Sequence, residues 1–137
     1  MSARFTLHPQ LAADTFPLAG WPLSLVLLMN DARFPWMILV PQRPDLRELH
    51  DLPANERAVL IEEIARAGRV MQAAFKAEKI NTAALGNQVP QLHVHVIARF
   101  ASDPAWPNPI WGVGERRRMS EAERTDRIAT LQAGMKD

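Results

Sequence analysis

Between Pro53 and Phe75 the apolar residues Leu60, Ile64, Ala67, Met71, Ala74 and Phe75 return at intervals of three or four. That period belongs to a helix with one apolar stripe. Glu62, Glu63, Arg66 and Arg69 fall mostly outside the stripe. Pro53 suits the helix start, where its missing N–H loses no bond. Gly68 weakens the helix by about 1 kcal/mol relative to Ala, too little to break it. A stripe of this length must lie on a broad apolar surface, which the rest of the chain has to supply.

Short strands are the natural source of that surface. "WPLSLVLLMN" and "WMILVP" are apolar runs closed by Asn30-Asp31 and by Pro41, and they predict a hairpin across "NDARFP". "DLRELHDL" has the form of a short helix. "INTAALG" and "QLHVHVIARF" predict two further strands joined by a turn at Gly86-Asn87. Residues 101–118, rich in Pro and Trp, read as an irregular arm. Ser120 and Glu123 have the spacing of a capping box, which opens a charged helix running to about Ala133. The expected class is α+β, with a mainly antiparallel sheet, one long helix and a C-terminal helix. At 137 residues one domain is expected, with residues 1–118 as its body and 119–137 as a helical extension.

Composition excludes several functions. Sixteen basic and fifteen acidic residues leave a formal charge of +1, which supplies no general attraction to nucleic acid or membrane. Without cysteine there is neither a disulfide nor a thiolate metal site, in keeping with a reducing compartment. "MSARFTLHPQL" lacks the apolar core of a signal peptide, and no run reaches the ~18–20 apolar residues of a membrane span. A soluble, cytoplasmic protein is expected.

"VPQLHVHVIARF" carries the chemistry. Strand alternation sends Leu92, Val94, Val96 and Ala98 to one face and Gln91, His93, His95 and Ile97 to the other. Side chains two apart on one face sit roughly 6–7 Å from each other, close enough to line a small anionic ligand together. Half-exposed surface positions would show the same pattern. A zinc site is a second reading, but it needs at least three protein ligands, and nothing in the spacing nominates His8, His50 or any carboxylate as the third. The third is nucleophilic catalysis at phosphorus: a neutral imidazole can form a covalent phosphoramidate if its other nitrogen is held by a hydrogen bond. Such a site needs no metal or other cofactor, because fixed donors stabilise the phosphoryl oxygens.

"VPQLHVHVIAR" resembles the signature of the histidine triad (HIT) family, His-x-His-x-His followed by apolar residues. Gly86-Asn87-Gln88-Val89 stands where the family usually has Gly-Gln-Thr/Ser-Val, and "LLMNDARFPWMILVPQRP" matches its upstream strand pair. The resemblance covers roughly residues 5–112, with the long helix between these parts. It implies the compact α+β fold of that family, a homodimer and a small-molecule nucleotide substrate. The implied reaction cleaves a P–O or P–N bond at the α-phosphate through a nucleotidyl-histidine. His93 would be the nucleophile, and His95 would contact the phosphate and assist the leaving group. Asn30, with Asp31 as the neighbouring alternative, would meet the ribose unless both simply build a turn. Asn87 and Gln88 would offer amides to the phosphate or leaving group.

The sequence departs from the pattern at four places. Gln91 replaces the first triad histidine, Asn87 stands where Gln is common, Trp36 where His is common, and Ala98 where Pro is usual. Gln91 can orient a neighbour or hold a phosphate oxygen, but it cannot exchange a proton as imidazole does. A catalytically weakened nucleotide-binding protein is therefore the alternative implied function.

Other features weigh less. Trp106 and Trp111 would pack the arm on the sheet or fold it over the site. Arg116 to Arg118, followed by "EAER", read as a solvated, self-compensated surface. His8 and His50 read as surface residues.

Overall fold

The long helix spans Ala54–Phe75 (α2) in the computed structural model, which describes residues 4–136. It lies across an antiparallel sheet of five strands: Thr15–Gly20 (β1), Ser24–Met29 (β2), Trp36–Pro41 (β3), Lys79–Ala83 (β4) and Val94–Arg99 (β5). Their order is β1-β2-β3-β5-β4, so the two-histidine strand is an interior one. Two further helices, Pro9–Asp14 (α1) and Glu121–Gly134 (α3), complete the α+β fold, with a single 3-10 turn at Leu49–Asp51. No described helix is long and apolar enough to cross a membrane.

Alternation sorts the residues of β5 as the sequence predicts, and β2 and β3 present their own alternate residues to the same side. Val26, Leu28, Met37, Leu39, Val96 and Ala98 meet Ala67, Val70 and Met71 of α2 in the main core. Each such buried aliphatic side chain contributes about 1.5–3 kcal/mol of apolar burial. Leu131 and Met135 of the C-terminal helix join the same core, and Ser120 closes the expected capping box with Glu123.

The helix stripe is wider than the sequence suggests, because Glu63 is buried with it. Its Oε2 accepts the Leu23 N–H at 2.9 Å, supplying a partner to the backbone just before β2. Gly68 faces Ile80, and a methyl group added there would sit in ordinary contact at 3.9 Å. Gly68→Ala should therefore stabilise the fold by about 1 kcal/mol, read as a higher urea midpoint at unchanged slope.

The opposite face of the sheet is covered by the arm. Phe34, Ala105 and Ile110 pack on Leu27, Trp36, Ile38, Val40 and Ile97. Two elements have no counterpart in the sequence reading. Strand β1 contains Pro17, tolerated because β1 is an edge strand whose pairing shifts register there. Helix α1 is short and opens with Pro9.

Candidate active site

Strand β5 begins at Val94, later than the alternation predicts, and Gln91 to His93 form its approach. Strand β4 ends at Ala83, opposite His95, so residues 91–93 have no partner strand on that side. The Leu92 N–H instead donates to the Leu46 carbonyl at 2.9 Å. His93 and His95 keep to one side nonetheless, with ring centroids 4.9 Å apart. Both border a cavity of about 560 Å³.

Each ring is held by a partner of opposite polarity. The Nδ1 of His93 lies 2.7 Å from the Gln91 carbonyl oxygen. A carbonyl can only accept, so Nδ1 carries the hydrogen and Nε2 of the neutral ring presents a lone pair. The Trp36 indole N–H donates to Nδ1 of His95 at 3.0 Å. That nitrogen must be bare, so Nε2 of His95 is an N–H donor. Trp36 thus has a physical role at the position where the family often has His. The His95 ring also meets Trp111 edge-on, at 5.1 Å between centroids.

Burial, reinforced by the neighbouring His93, pushes the His95 imidazole down from 6.5 to about 3. In that window the unfolded ring takes up a proton and the folded one does not. Stability is therefore fully present above 6.5 and is lost as pH falls toward about 3, at up to about 1.4 kcal/mol per pH unit. Urea midpoints measured from pH 7 to pH 5 should fall less steeply in His95→Phe than in the wild-type protein.

Of the other residues marked in the sequence, Asn87 and Gln88 line the same cavity. Gly86, at φ 77, makes the turn that brings them there. Asn30 and Asp31 do not line it. The Asn30 Oδ1 accepts the Met119 N–H at 2.8 Å, and Asp31 pairs with Arg33 at 2.8 Å. Asn30 thereby fastens the turn after β2 to the chain that leads into α3, while the Asp31 carboxylate is occupied within the turn by Arg33. The Gln91 side chain is likewise engaged elsewhere, bonding Thr6 and His8 of the N-terminal segment.

His8, read in the sequence as a surface residue, Trp36, noted there only as a departure from the family pattern, and Asp14 also line the cavity. Asp14 is held by Arg116 at 3.1 Å and by Gln10 at 2.9 Å. Arg116 therefore departs from the self-compensated surface expected of the arginine run, whereas Arg117 conforms by pairing with Glu123. The Pro9 that begins α1 was the available signal for His8, since proline at the first helical position marks the residue before it as a cap. His50 lines a separate cavity of about 190 Å³ that also touches His93. Trp111 lines the cavity and Trp106 is exposed, while Ala105 and Ile110 pack the arm on the sheet.

The sheet and the site define a small α+β protein that presents two histidines of fixed, opposite tautomer to one cavity. The HIT domain family matches residues 12–102. The histidine triad protein blr8122 of Bradyrhizobium japonicum is 44% identical, over 97% of this chain and 99% of its own, with a TM-score of 0.94. A histidine triad protein of Sinorhizobium meliloti is 44% identical over 95% and 96% of the two chains, with a TM-score of 0.92. One from Marinobacter aquaeolei is 43% identical over 97% of each, with a TM-score of 0.94. No curated protein matches the chain. The chain belongs to the histidine triad family. Membership suggests a nucleotide-binding or nucleotide hydrolase or transferase function.

Proposed function

We propose that the protein is a nucleotide hydrolase or nucleotidyl transferase acting on the α-phosphate of a nucleoside phosphate derivative. A dinucleoside polyphosphate or a nucleoside phosphoramidate is the substrate type. The observation that carries this reading is the pair of opposed tautomers, one lone pair at His93 and one N–H at His95, facing one cavity. Nε2 of His93 forms a bond to the α-phosphorus as the bond to the leaving oxygen or nitrogen breaks, and the leaving group keeps that electron pair. The His95 N–H meets the charge on the phosphoryl oxygens. Water then attacks phosphorus, the P–N bond returns its electrons to His93, and a proton passes to solvent. In transfer, an acceptor hydroxyl or phosphate replaces the water.

Asn87 and Gln88 supply amide groups along the cavity wall. The Asp14 carboxylate, on the wall of the same cavity, would accept hydrogen bonds from ribose hydroxyls. Asn30, whose N–H donates to the Asp14 carbonyl at 2.9 Å, supports that wall with Asp31 beside it. Gln91 serves His93 through its main-chain carbonyl.

Mass spectrometry of the protein mixed with a dinucleoside polyphosphate or an adenosine phosphoramidate, kept above acid pH, tests the reading. A nucleotidyl adduct confined to His93 is expected. Neither adduct nor turnover across several such substrates would remove the enzymatic reading. A binding protein without turnover is the second reading, favoured by Gln91, which at the first triad position cannot gain or lose a proton near neutral pH as imidazole does. Calorimetry showing tight AMP binding, with no turnover that depends on His93, would select it.

The neutral state of His95 also sets a preference among leaving groups. A ring that burial pushes well below 6.5 is mostly neutral at pH 7, so it is a poor proton donor to a departing amine. Phosphate leaving groups need no proton. Dinucleoside polyphosphates should therefore exceed phosphoramidates in kcat, by about 10²-fold, in parallel steady-state assays.

A further inference from the structure

Gln91 holds the N-terminal segment at two points. Its Oε1 accepts the His8 N–H at 2.8 Å, and its Nε2 donates to the Thr6 carbonyl at 2.8 Å. A side-chain amide offers one acceptor and adjacent donors, so it can bond an extended backbone as a neighbouring strand would. Phe5 and Leu7, the alternate residues, pack on the apolar cluster that the arm covers. Residue 8 is fixed again by α1, where its carbonyl accepts the Ala12 N–H at 3.0 Å.

The result is a third imidazole at the cavity. His8 borders it together with His93 and His95. Its Nδ1 accepts the Gln10 N–H at 3.0 Å, so the one polar atom left on the neutral ring is an Nε2–H donor. Among the described residues no three His, Asp or Glu side chains group closely enough to hold a metal ion. Three rings spread more widely than the ligands of one ion suit a phosphate chain, whose oxygens extend over several ångströms.

Resting on the nucleotide reading above, we propose that His8 contacts the substrate, donating through Nε2–H to an oxygen of the phosphate chain, and that Gln91 is the positioning residue that delivers it. The glutamine then replaces the first histidine of the triad with a clamp that brings a histidine from elsewhere in the chain. The cavity holds one nucleophilic lone pair and two N–H donors, each tautomer set by a different backbone or side-chain partner.

His8→Asn separates this role from the helix cap, because asparagine retains a capping acceptor and lacks the Nε2–H. Melting temperature should stay near the wild-type value. Affinity for the tightest binder among AMP, GMP, CMP and UMP should fall about 10- to 100-fold, as for loss of one hydrogen bond to a charged group. kcat/KM on a dinucleoside polyphosphate should fall similarly. Gln91→Leu should reproduce the loss, and the double variant should lose no more than the larger single effect. Free imidazole should restore part of the activity of His8→Gly, a response that a merely structural residue would not show.

Wild-type affinity and turnover in His8→Asn would overturn the inference and leave the nucleotide reading standing. A wild-type protein that binds none of the four nucleotides and forms no adduct would instead remove that reading, and this inference with it.

Discussion

His93→Ala is expected to lower kcat by at least about 10³-fold, the scale on which enzymes lose activity when a covalent nucleophile is deleted. The ring has one fixed partner, the Gln91 carbonyl at 2.7 Å, and in the proposed mechanism its other nitrogen bonds to phosphorus. No other lone pair in the site is equivalent. His95 turns its bare nitrogen toward Trp36, and its exposed edge is a donor. Nucleotide affinity should change less than tenfold, because the other cavity groups remain. Single-turnover rates beside an AMP titration separate the two effects. A fall in kcat of less than tenfold would show that another group attacks phosphorus.

Arg99→Met should destabilise the fold by about 3–5 kcal/mol, the usual result of removing one partner of a buried ion pair. Arg99 is 2% exposed and has every part of its guanidinium engaged. It bonds both oxygens of Asp103, at 2.8 and 3.1 Å, and also Asn81 Oδ1 and the Asn108 carbonyl, each at 2.8 Å. Methionine fills similar space but leaves a carboxylate, an amide and a carbonyl without that partner. Lysine should not rescue, since a point charge cannot make the two-pronged contact. Urea unfolding gives the magnitude; a loss below about 1 kcal/mol would mean that the arm is anchored by its apolar contacts.

The same network sets an acid limit. Burial alone would raise the Asp103 carboxyl, but bonds from Arg99 and from the N–H groups of Phe100, Ala105 and Trp106 hold it at about 2. Its contribution is full above the ordinary value of 3.8 and is lost as pH falls through about 2. The His95 penalty begins at higher pH, so acidification should weaken the sheet interior before it releases the arm.

Much of this fold is legible in the sequence because its signals are local. The period of α2, the apolar runs of β2 and β3, the alternation of β5 and the Ser120 cap each depend on residues within a few positions. The missed elements are those with contrary or weak local signals, β1 with its proline and α1 with six residues. His93 and His95 could be singled out because both lie on one alternating face. Pro9 marks His8 as a helix cap but not as a cavity residue, since the bond that places it there joins residues 83 apart. The burial of Arg99 has no local signal for the same reason: Asp103 is near in sequence, but Asn81, Phe34 and Trp106 reach it only in the folded chain.

By itself, then, the sequence determined which residues form the helix and strands and which strand faces carry histidine, through side-chain period and capping. Tertiary structure alone decided the strand order β1-β2-β3-β5-β4 and the tautomers of His93 and His95. It also decided that Gln91 grips the segment bearing His8. The physical reason is the range of the forces involved. Periodicity acts within a turn or a strand, whereas a ring's protonated nitrogen is set by whichever donor or acceptor the fold packs against it.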